Sequence, residues 1–310
     1  MNQIYLDTVR LLLAIAPIVF ESKSFALKGG TALNLFVQDM PRLSVDIDVV
    51  FTDYRHDRDE ALAAIALALA RMQAALAARG YRATPVRTKL GDEVKLLVSN
   101  DLASVKVEVN FVFRGTVLPV VQMPLSSAAR SLFTTNLTLP VLDAAELYGS
   151  KLVAAMDRQH PRDIFDVVQM LARFGWQSAF VDCFVVYLAG HNRPVHEVLF
   201  PQCQPLAATF SNEFKGMARN EIPLAQLEQA QLDLIHQLPR HLTTRHREFL
   251  LSLVRAEPAW ELMPFNNLSA LPALKWKILN LEKLRKSNAK RFAAQYNELL
   301  ARFGDLEPAA

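Results

Sequence analysis

The sequence predicts an α/β (α+β) N-terminal part followed by an all-helical C-terminal part. Between residues 25 and 113, alternating apolar and polar segments are separated by turn signals and by one long helical stretch. From about residue 143 onward the apolar spacing becomes helical, and prolines separate the segments. With 51% apolar and 21% charged residues, the 310-residue chain is expected to bury a large core.

The elements of the N-terminal part follow from local periodicity. A helix is predicted over residues 3–20, where Pro17 bends or ends it, and a second from about Arg58 to Arg79 with Gly80 as its cap. Residues 25–36 indicate a short apolar segment, then a Gly-Gly turn and the start of a helix. Strands are predicted over residues 45–51, 81–89, 93–99 and 105–113, with turns at Gly91-Asp92 and Asn100-Asp101.

We expect a core domain over residues 1–140 and a helical domain over residues 141–310 that contributes Lys151, Asp163 and Asp166 to the site. Its predicted helices cover residues 143–158, 162–174, 176–189, 224–238, 243–256 and 270–303. The terminal EPAA is expected to fray.

Composition and charge narrow the functional classes. The chain has 34 basic and 31 acidic residues, so any nucleic-acid surface must be local. Two cysteines, Cys183 and Cys203, exclude a disulfide framework and a Cys-based zinc site, and they favour a cytoplasmic location. The longest N-terminal apolar run, residues 11–20, covers about half of a membrane span, so we expect a buried helix and no membrane association.

Two acidic residues on one predicted strand are the first candidate site. Asp46 and Asp48 are two residues apart, so they share one face of the strand while Val45, Ile47 and Val49 occupy the other. Such a pair holds a divalent metal through oxygen ligands. The alternative is a half-exposed strand with a solvated acidic face.

A second strand extends the acidic pattern. If residues 105–113 lie beside residues 45–51, Glu108 becomes a third carboxylate near Asp46 and Asp48, and three such groups can hold two Mg²⁺ ions. The alternative for Glu108 is an ordinary surface acid. Upstream, Gly29 and Gly30 precede Thr31 at a helix start, an arrangement that favours phosphate, although by itself it is only a turn.

A pair of predicted helices holds the remaining polar candidates: Glu146, Lys151, Arg158, Arg162, Asp163 and Asp166. Asp163 and Asp166 share a helix face. Each residue also has an ordinary interpretation, such as helix-dipole pairing for Asp163 and a surface position for Lys151.

In combination these motifs resemble known enzymes. The GGTAL helix start followed by D-x-D resembles nucleotidyltransferases of the DNA polymerase β type. Two further motifs make the resemblance more specific: R-x-S-x-D-x-D at residues 42–48 and E-L-x-x-x-K-L-x-x-x-x-x-R-x-x-x-R-D-x-x-D at residues 146–166. With them, the chain resembles the AbiEii/AbiGii toxin family and its MenT relatives. These toxins belong to type IV toxin–antitoxin systems. The motifs span about residues 25–170, and the remainder fits only in being helical.

The resemblance implies a polymerase-β-like nucleotidyltransferase core, with Mg²⁺ as cofactor, an NTP as substrate and the tRNA 3′ end as acceptor. A toxin of this kind would block translation, and a cognate antitoxin would be encoded nearby. By motif position, Asp46 and Asp48 would bind metal, Lys151 would contact the triphosphate, and Asp166, with Asp163, would complete the site. Gly29, Gly30 and Thr31 would line the phosphates, although this turn has Gly-Gly-Thr rather than Gly-Ser.

A basic segment near the C-terminus is the candidate RNA surface. Residues 275–291 hold seven Lys or Arg and one Glu, and Trp276 lies in the same segment. Basic residues that alternate with aromatic ones suit an RNA backbone and stacked bases. The RNA-binding candidates are Lys283, Arg285, Lys286, Lys290 and Arg291. The alternative is the solvated face of an amphipathic helix. For the whole chain, the alternatives are a transferase acting on a protein or small molecule and a non-catalytic nucleotide- or RNA-binding regulator.

Overall fold

The structure is a computed structural model that describes residues 3–87, 93–111 and 113–306. It contains a seven-stranded mixed sheet and many helices, which confirms the predicted mixture of strands and helices. The predicted Gly91-Asp92 turn and the terminal EPAA lie outside the described residues. The chain divides into two compact units, unit 1 (Met1–Leu147 with Lys215–Glu221) and unit 2 (Tyr148–Phe214 with Ile222–Ala310).

Unit 1 holds the strands and follows the predicted order, with three additional short elements. Its elements are α1 (Gln3–Val19), β1 (Phe25–Lys28), α2 (Gly29–Ala32, continued by a π-helical turn over Leu33–Val37), β2 (Asp46–Phe51), α3 (Arg58–Ala77), β3 (Arg82–Arg87), β4 (Glu93–Ser99), β5 (Ser104–Asn110), β6 (Val121–Pro124), α4 (Ser127–Phe133) and β7 (Thr138–Val141). The sequence pattern did not predict β6, α4 and β7.

The sheet order is β3-β4-β5-β2-β1-β7-β6. The strands β3, β4 and β5 form an antiparallel meander. The central strand β2 pairs parallel with β5 and antiparallel with β1. On the other side, β1 pairs parallel with β7, which pairs antiparallel with β6. The side-by-side position of the two acidic strands is therefore confirmed.

Helices α1 and α3 cover the apolar side of the strands, α1 over β2 and β5 and α3 over β3 and β4. Helix α3 buries Ala61, Ile65, Leu69, Met72 and Leu76, whose spacing forms one stripe along a helix. Its N-terminus is fixed by a capping box between Asp57 and Glu60. By length and composition α3 is apolar enough to cross a membrane, but its buried stripe is the kind that a core helix presents to a sheet.

Unit 2 is helical. The division between the units falls within α5 (Ala144–Arg158), which is followed by α6 (Pro161–Phe174), α7 (Ser178–Ala189), α8 (Val195–Leu199), α9 (Ala207–Thr209), α10 (Leu224–Gln237), α11 (Thr244–Val254), α12 (Pro272–Ser287) and α13 (Ala289–Gly304). The single helix predicted over residues 270–303 was wrong. Asn288 leaves the helical conformation, and its side chain accepts from Arg291 N at 2.9 Å, which caps a new helix.

Gly149 permits a close approach between two helices of unit 2. A Cβ atom there would lie 2.6 Å from both Cys183 Cβ and Phe184 N of α7. Main-chain atoms of a buried helix cannot yield, so only glycine permits this contact between α5 and α7.

We expect Gly149→Ala to lower the free energy of unfolding by about 1–3 kcal/mol, because the added methyl group overpacks the helix contact. Gly304→Ala is the matched control, since nothing lies within 4 Å of a Cβ there and alanine favours a helix. Urea unfolding of both variants measures the difference. An unchanged midpoint for Gly149→Ala would show that α5 and α7 do not pack this closely.

Lys277 of α12 is buried, and its ammonium donates to His191 O at 2.8 Å and Arg193 O at 2.6 Å. Burial lowers the pKa of Lys277 to about 8 from its ordinary 10.5, and the charge of Glu197 only partly opposes this effect. A neutral amine keeps two N–H donors, so both hydrogen bonds survive deprotonation.

This burial predicts a pH-dependent stability. Between about pH 8 and 10.5 the unfolded chain binds more protons at Lys277 than the folded chain does, so stability rises with pH across that window. The difference in unfolding free energy between wild type and Lys277→Met should therefore grow in favour of wild type, by at most about 1.4 kcal/mol per pH unit. Urea titrations at several pH values measure it, and a flat difference would mean that Lys277 stays charged in the folded state.

Candidate active site

The acidic residues of β2 lie on one face of the sheet, as predicted. In the register of β2 with β5, Asp46 lies opposite Lys106 and Asp48 lies opposite Glu108. On the other side, Asp48 is paired with Lys28 at the end of β1. Ile47 and Val49 are fully buried, whereas Asp46 and Asp48 are half-buried. The register thus brings three carboxylates and two lysines together on one polar face.

Glu108 is held by two lysines from neighbouring strand positions. Lys95 Nζ lies 3.2 Å from Glu108 Oε1, and Lys106 Nζ lies 3.2 Å from Glu108 Oε2. Lys106 Nζ also lies 3.9 Å from Asp46 Oδ1. Burial by itself would raise the pKa of Glu108, but the hydrogen bonds from Lys95 and Lys106 hold that pKa below its ordinary value. Glu108 is therefore an ionised, ion-paired carboxylate.

Asp48 has a different electrostatic environment. Burial raises the pKa of Asp48, the charge of Lys28 opposes this, and repulsion from Asp46 and Glu108 adds to the rise. A carboxylate in this environment gains from a nearby cation, which would remove the repulsion.

The Gly-Gly turn lies directly on the acidic pair. Gly29 has φ +72°, and a Cβ atom there would collide with Asp48 Oδ2. A Cβ atom at Gly30 would lie 2.9 Å from both Arg42 Nη2 and Ser44 Oγ. Gly29 therefore requires glycine because of its positive φ, whereas a side chain at Gly30 would have to displace the ends of two side chains of the R-x-S-x-D-x-D motif.

Thr31 ties the same turn to the acidic strand. Its side chain is buried, and its hydroxyl donates to the main-chain carbonyl of Asp46 and shares a hydrogen bond with Ser44 Oγ at 3.0 Å. In this structure Thr31 therefore positions Asp46, and its predicted phosphate contact stays a prediction. The motif spacing alone did not indicate this hydrogen bond.

A segment distant in sequence supports the loop before β2. Leu43 N donates to Met217 O at 3.0 Å, and Arg219 N donates to Pro41 O at 2.8 Å. Arg42, which is buried beside Gly30, forms an isolated β-bridge with Ala218. Lys215–Glu221 therefore belongs to unit 1, which the predicted boundary at residue 141 did not anticipate, since no local pattern marks so short a pairing.

Two of the three carboxylates are arranged as ligands of a hard divalent cation would be, and the third is not. Asp46 and Asp48 offer oxygen ligands side by side, and such ligands are preferred by Mg²⁺. Within the part of the chain that the structure describes, however, no group of three or more His, Cys, Asp or Glu side chains is placed to hold a metal ion. The acidic pair offers the oxygen ligands that Mg²⁺ prefers, and metal binding by Asp46, Asp48 and Glu108 remains a prediction.

The second cluster lies in unit 2. Lys151 Nζ on α5 lies 2.7 Å from Asp163 Oδ1 and 3.0 Å from Asp166 Oδ2 on α6. Arg158 Nη2 lies 2.7 Å from Asp163 Oδ2. Lys151, Asp163 and Asp166 are all less than one tenth exposed. The structure thus brings these three predicted residues together as a buried ion-paired cluster.

The corner between α5 and α6 fixes this cluster. His160 Nδ1 caps α6 by accepting from Arg162 N at 3.0 Å, and Pro161 occupies its first turn. Gln159 is buried and donates to Gln202 O at 2.8 Å, while its side-chain oxygen accepts from Gln204 N at 2.9 Å. These polar contacts were not predicted, because they join segments that are far apart in sequence.

Glu146, the first residue of the helical motif, lies in unit 1 and has its partners there. The carboxylate of Glu146 is fully buried and accepts from Val117 N at 2.8 Å and from Leu118 N at 2.9 Å. It thereby satisfies two main-chain donors of a loop, which explains a buried acid at this position.

The basic segment is divided between α12 and α13. Lys277 is buried, and Arg285 lies 3.5 Å from Glu257 and over the ring of Phe292. Lys283, Lys286, Lys290 and Arg291 are exposed. Trp276, Leu279, Lys283 and Lys286 follow helical spacing along one exposed face of α12, which we call the α12 face. A groove of about 480 Å³ lies along it.

Comparisons with known proteins bear on the family and the fold of this chain. The family model described as "Nucleotidyl transferase AbiEii toxin, Type IV TA system" matches residues 10–278. Among solved structures, the chain is similar to MenT4, a nucleotidyltransferase toxin from Mycobacterium tuberculosis H37Rv, with a TM-score of 0.58 and 18% identity over 80% of this chain and 86% of that chain. At this identity the likeness concerns the fold alone. No curated protein matches the chain. Because the family match spans most of the sequence, the chain belongs to the AbiEii family of nucleotidyltransferase toxins of type IV toxin–antitoxin systems.

Proposed function

We propose that this toxin transfers a nucleotide from an NTP to the 3′ end of tRNA in a Mg²⁺-dependent reaction, and so blocks translation in the cytoplasm. The observation that supports the chemistry most directly is the Asp46/Asp48 pair beneath the Gly29-Gly30 turn. A cognate antitoxin is implied by the family. The tRNA acceptor rests on the resemblance and on the basic α12 face.

The chain's own residues have separate tasks in this proposal. Asp46 and Asp48 would hold Mg²⁺, which when bound would offset negative charge on the reacting phosphate and on the pyrophosphate leaving group. The main-chain N–H groups of the Gly29-Gly30 turn, which lies on the acidic pair, would bind phosphate. The attacking group would be a terminal ribose hydroxyl of the RNA.

The motif assigns Lys151 to the triphosphate, while the structure adds a second role. Its ammonium already balances Asp163 and Asp166 inside unit 2. Removing it would leave two buried carboxylates close together, with Arg158 still paired to Asp163 and the partner of Asp166 lost from this cluster. A Lys151 variant could therefore lose toxicity because the triphosphate contact is gone or because the protein is less stable. Measuring the stability of the variant separates these two causes.

We expect Lys151→Met to lower the free energy of unfolding by about 3–5 kcal/mol, because it breaks a buried ion-paired cluster. Lys215→Met is the matched control, since Lys215 is exposed. Urea unfolding measures both. If Lys151→Met is as stable as wild type yet non-toxic, Lys151 acts mainly in catalysis.

The metal hypothesis predicts that Asp46→Asn and Asp48→Asn each abolish transfer, since each removes a charged oxygen ligand. Both should fold, and Asp48→Asn should be at least as stable as wild type near pH 7, because the raised pKa of Asp48 means that its ionised form costs stability there. Asp101→Asn, on an exposed turn, is the control.

Incubation with each α-labelled NTP, Mg²⁺ and total tRNA measures transfer. Label in RNA that is lost in EDTA and in both Asn variants supports the proposal. Label in protein indicates a protein acceptor, and an active Asp46→Asn/Asp48→Asn variant contradicts the metal role. Growth arrest on expression, relieved by Asp48→Asn, would connect the chemistry to toxicity.

The α12 face predicts two separable effects on RNA binding. Reversing Lys283 and Lys286 to Glu should weaken tRNA binding and reduce the log–log salt slope by roughly one unit for each RNA phosphate that these lysines no longer neutralise. Trp276→Ala should weaken binding by about 1–3 kcal/mol with an unchanged slope, because base stacking involves no counterion.

Lys23→Glu/Lys215→Glu, with the same change in net charge at exposed positions, controls for long-range charge effects. Fluorescence anisotropy of labelled tRNA over a salt series measures both quantities. If affinity and slope stay at wild-type values in the α12 variants, the segment is only a solvated helix face.

A further inference from the structure

Charges of opposite sign alternate across three strands of unit 1. From β4 to β2 the polar face presents Lys95, Glu108, Lys106 and Asp46. Lys106 lies between two carboxylates, with its Nζ 3.2 Å from Glu108 Oε2 and 3.9 Å from Asp46 Oδ1. Its side chain is about one third exposed, at 38%. An ammonium therefore occupies the space between the acidic strand and the third carboxylate.

Two divalent ions side by side require carboxylates from neighbouring strands that share them. Here the shared position is taken by Lys106, and Glu108 is bound on its other oxygen by Lys95. Consistent with this, no group of three metal-binding side chains is placed to hold an ion within residues 3–87, 93–111 and 113–306.

We propose that the acidic pair of β2 binds a single divalent cation, and that Lys106 supplies the positive charge that a second ion would otherwise provide. This inference rests on the proposed metal-dependent nucleotidyl transfer. It replaces the two-ion expectation that followed from counting three carboxylates.

In the absence of nucleotide, charge balance favours one ion over two. Three carboxylates, Asp46, Asp48 and Glu108, lie on this face with three lysines, Lys28, Lys95 and Lys106, so the face is neutral overall. Before any nucleotide binds, one divalent ion raises the net charge of this face to +2. A second ion would raise it to +4 and would have to displace or approach the ammonium of Lys106, against strong like-charge repulsion.

Lys106 is thus a positioning residue, since it holds Asp46 and Glu108 apart from a shared ion. Its removal should free Asp46 and one oxygen of Glu108 for a second cation, while Lys95 still pairs with the other oxygen of Glu108. The carboxylates would then repel each other unless that cation binds.

Mn²⁺ binding without nucleotide, followed by the EPR signal of the free ion, tests this directly. Wild type should bind one Mn²⁺ per chain. Lys106→Met and Lys106→Gln should bind two, and the first ion should bind more tightly, on the order of tenfold, because a nearby positive charge is gone. Lys23→Met, at an exposed position, makes the same change in net charge and should bind one.

The outcomes separate this inference from the proposed function. Two ions on wild type, or one ion on a folded Lys106→Met variant, overturn the single-ion inference while leaving metal-dependent transfer intact. Asp48→Asn that still binds Mn²⁺ as tightly as wild type overturns the role of the acidic pair, and the metal-dependent proposal with it. Thermal unfolding of each variant confirms that the count is made on folded protein.

Discussion

The antiparallel pairing of β1 with β2 is the constraint on which the acidic site depends. Because β1 ends at Lys28 opposite Asp48, the next residue must turn across that carboxylate. Gly29 turns there with positive φ and no side chain, and Thr31 then reaches the carbonyl of Asp46. Two motifs separated by more than a dozen residues are therefore parts of one interlocked structure, and a change in either one moves the carboxylates.

The local periodicity of the sequence was sufficient to predict the strands that form this site. The apolar alternation of residues 45–51 and 105–113 predicted both strands, and their shared polar face predicted the approach of Glu108 to Asp48. The sequence could not predict the ion pairs of Glu108. Lys95 reaches it only through the antiparallel register of β4 with β5, which depends on the turn that joins them.

Other elements escaped prediction for physical reasons that differ. Strands β6 and β7 have four residues each and contain Pro124 and Pro140, so propensity argues against them and tertiary pairing decides. The break at Asn288 is local, but a single polar residue in an otherwise helical run is too common to indicate a cap. The pairing of Lys215–Glu221 with the loop before β2 is tertiary alone.

The two charged clusters of this chain differ in how deeply their ion pairs are buried. This difference decides whether a mutation in each cluster tests folding or the reaction. In unit 2 the ammonium of Lys151 and its two carboxylates are buried together, so substitution there changes folding before it changes chemistry. In unit 1, Asp46 and its ion-pair partners are about one third exposed, and solvent screens the cost of altering them. Loss of activity in a variant of Asp46, Lys106 or Glu108 is therefore direct evidence about the reaction, whereas in the unit 2 cluster it becomes evidence only when stability is measured on the same protein.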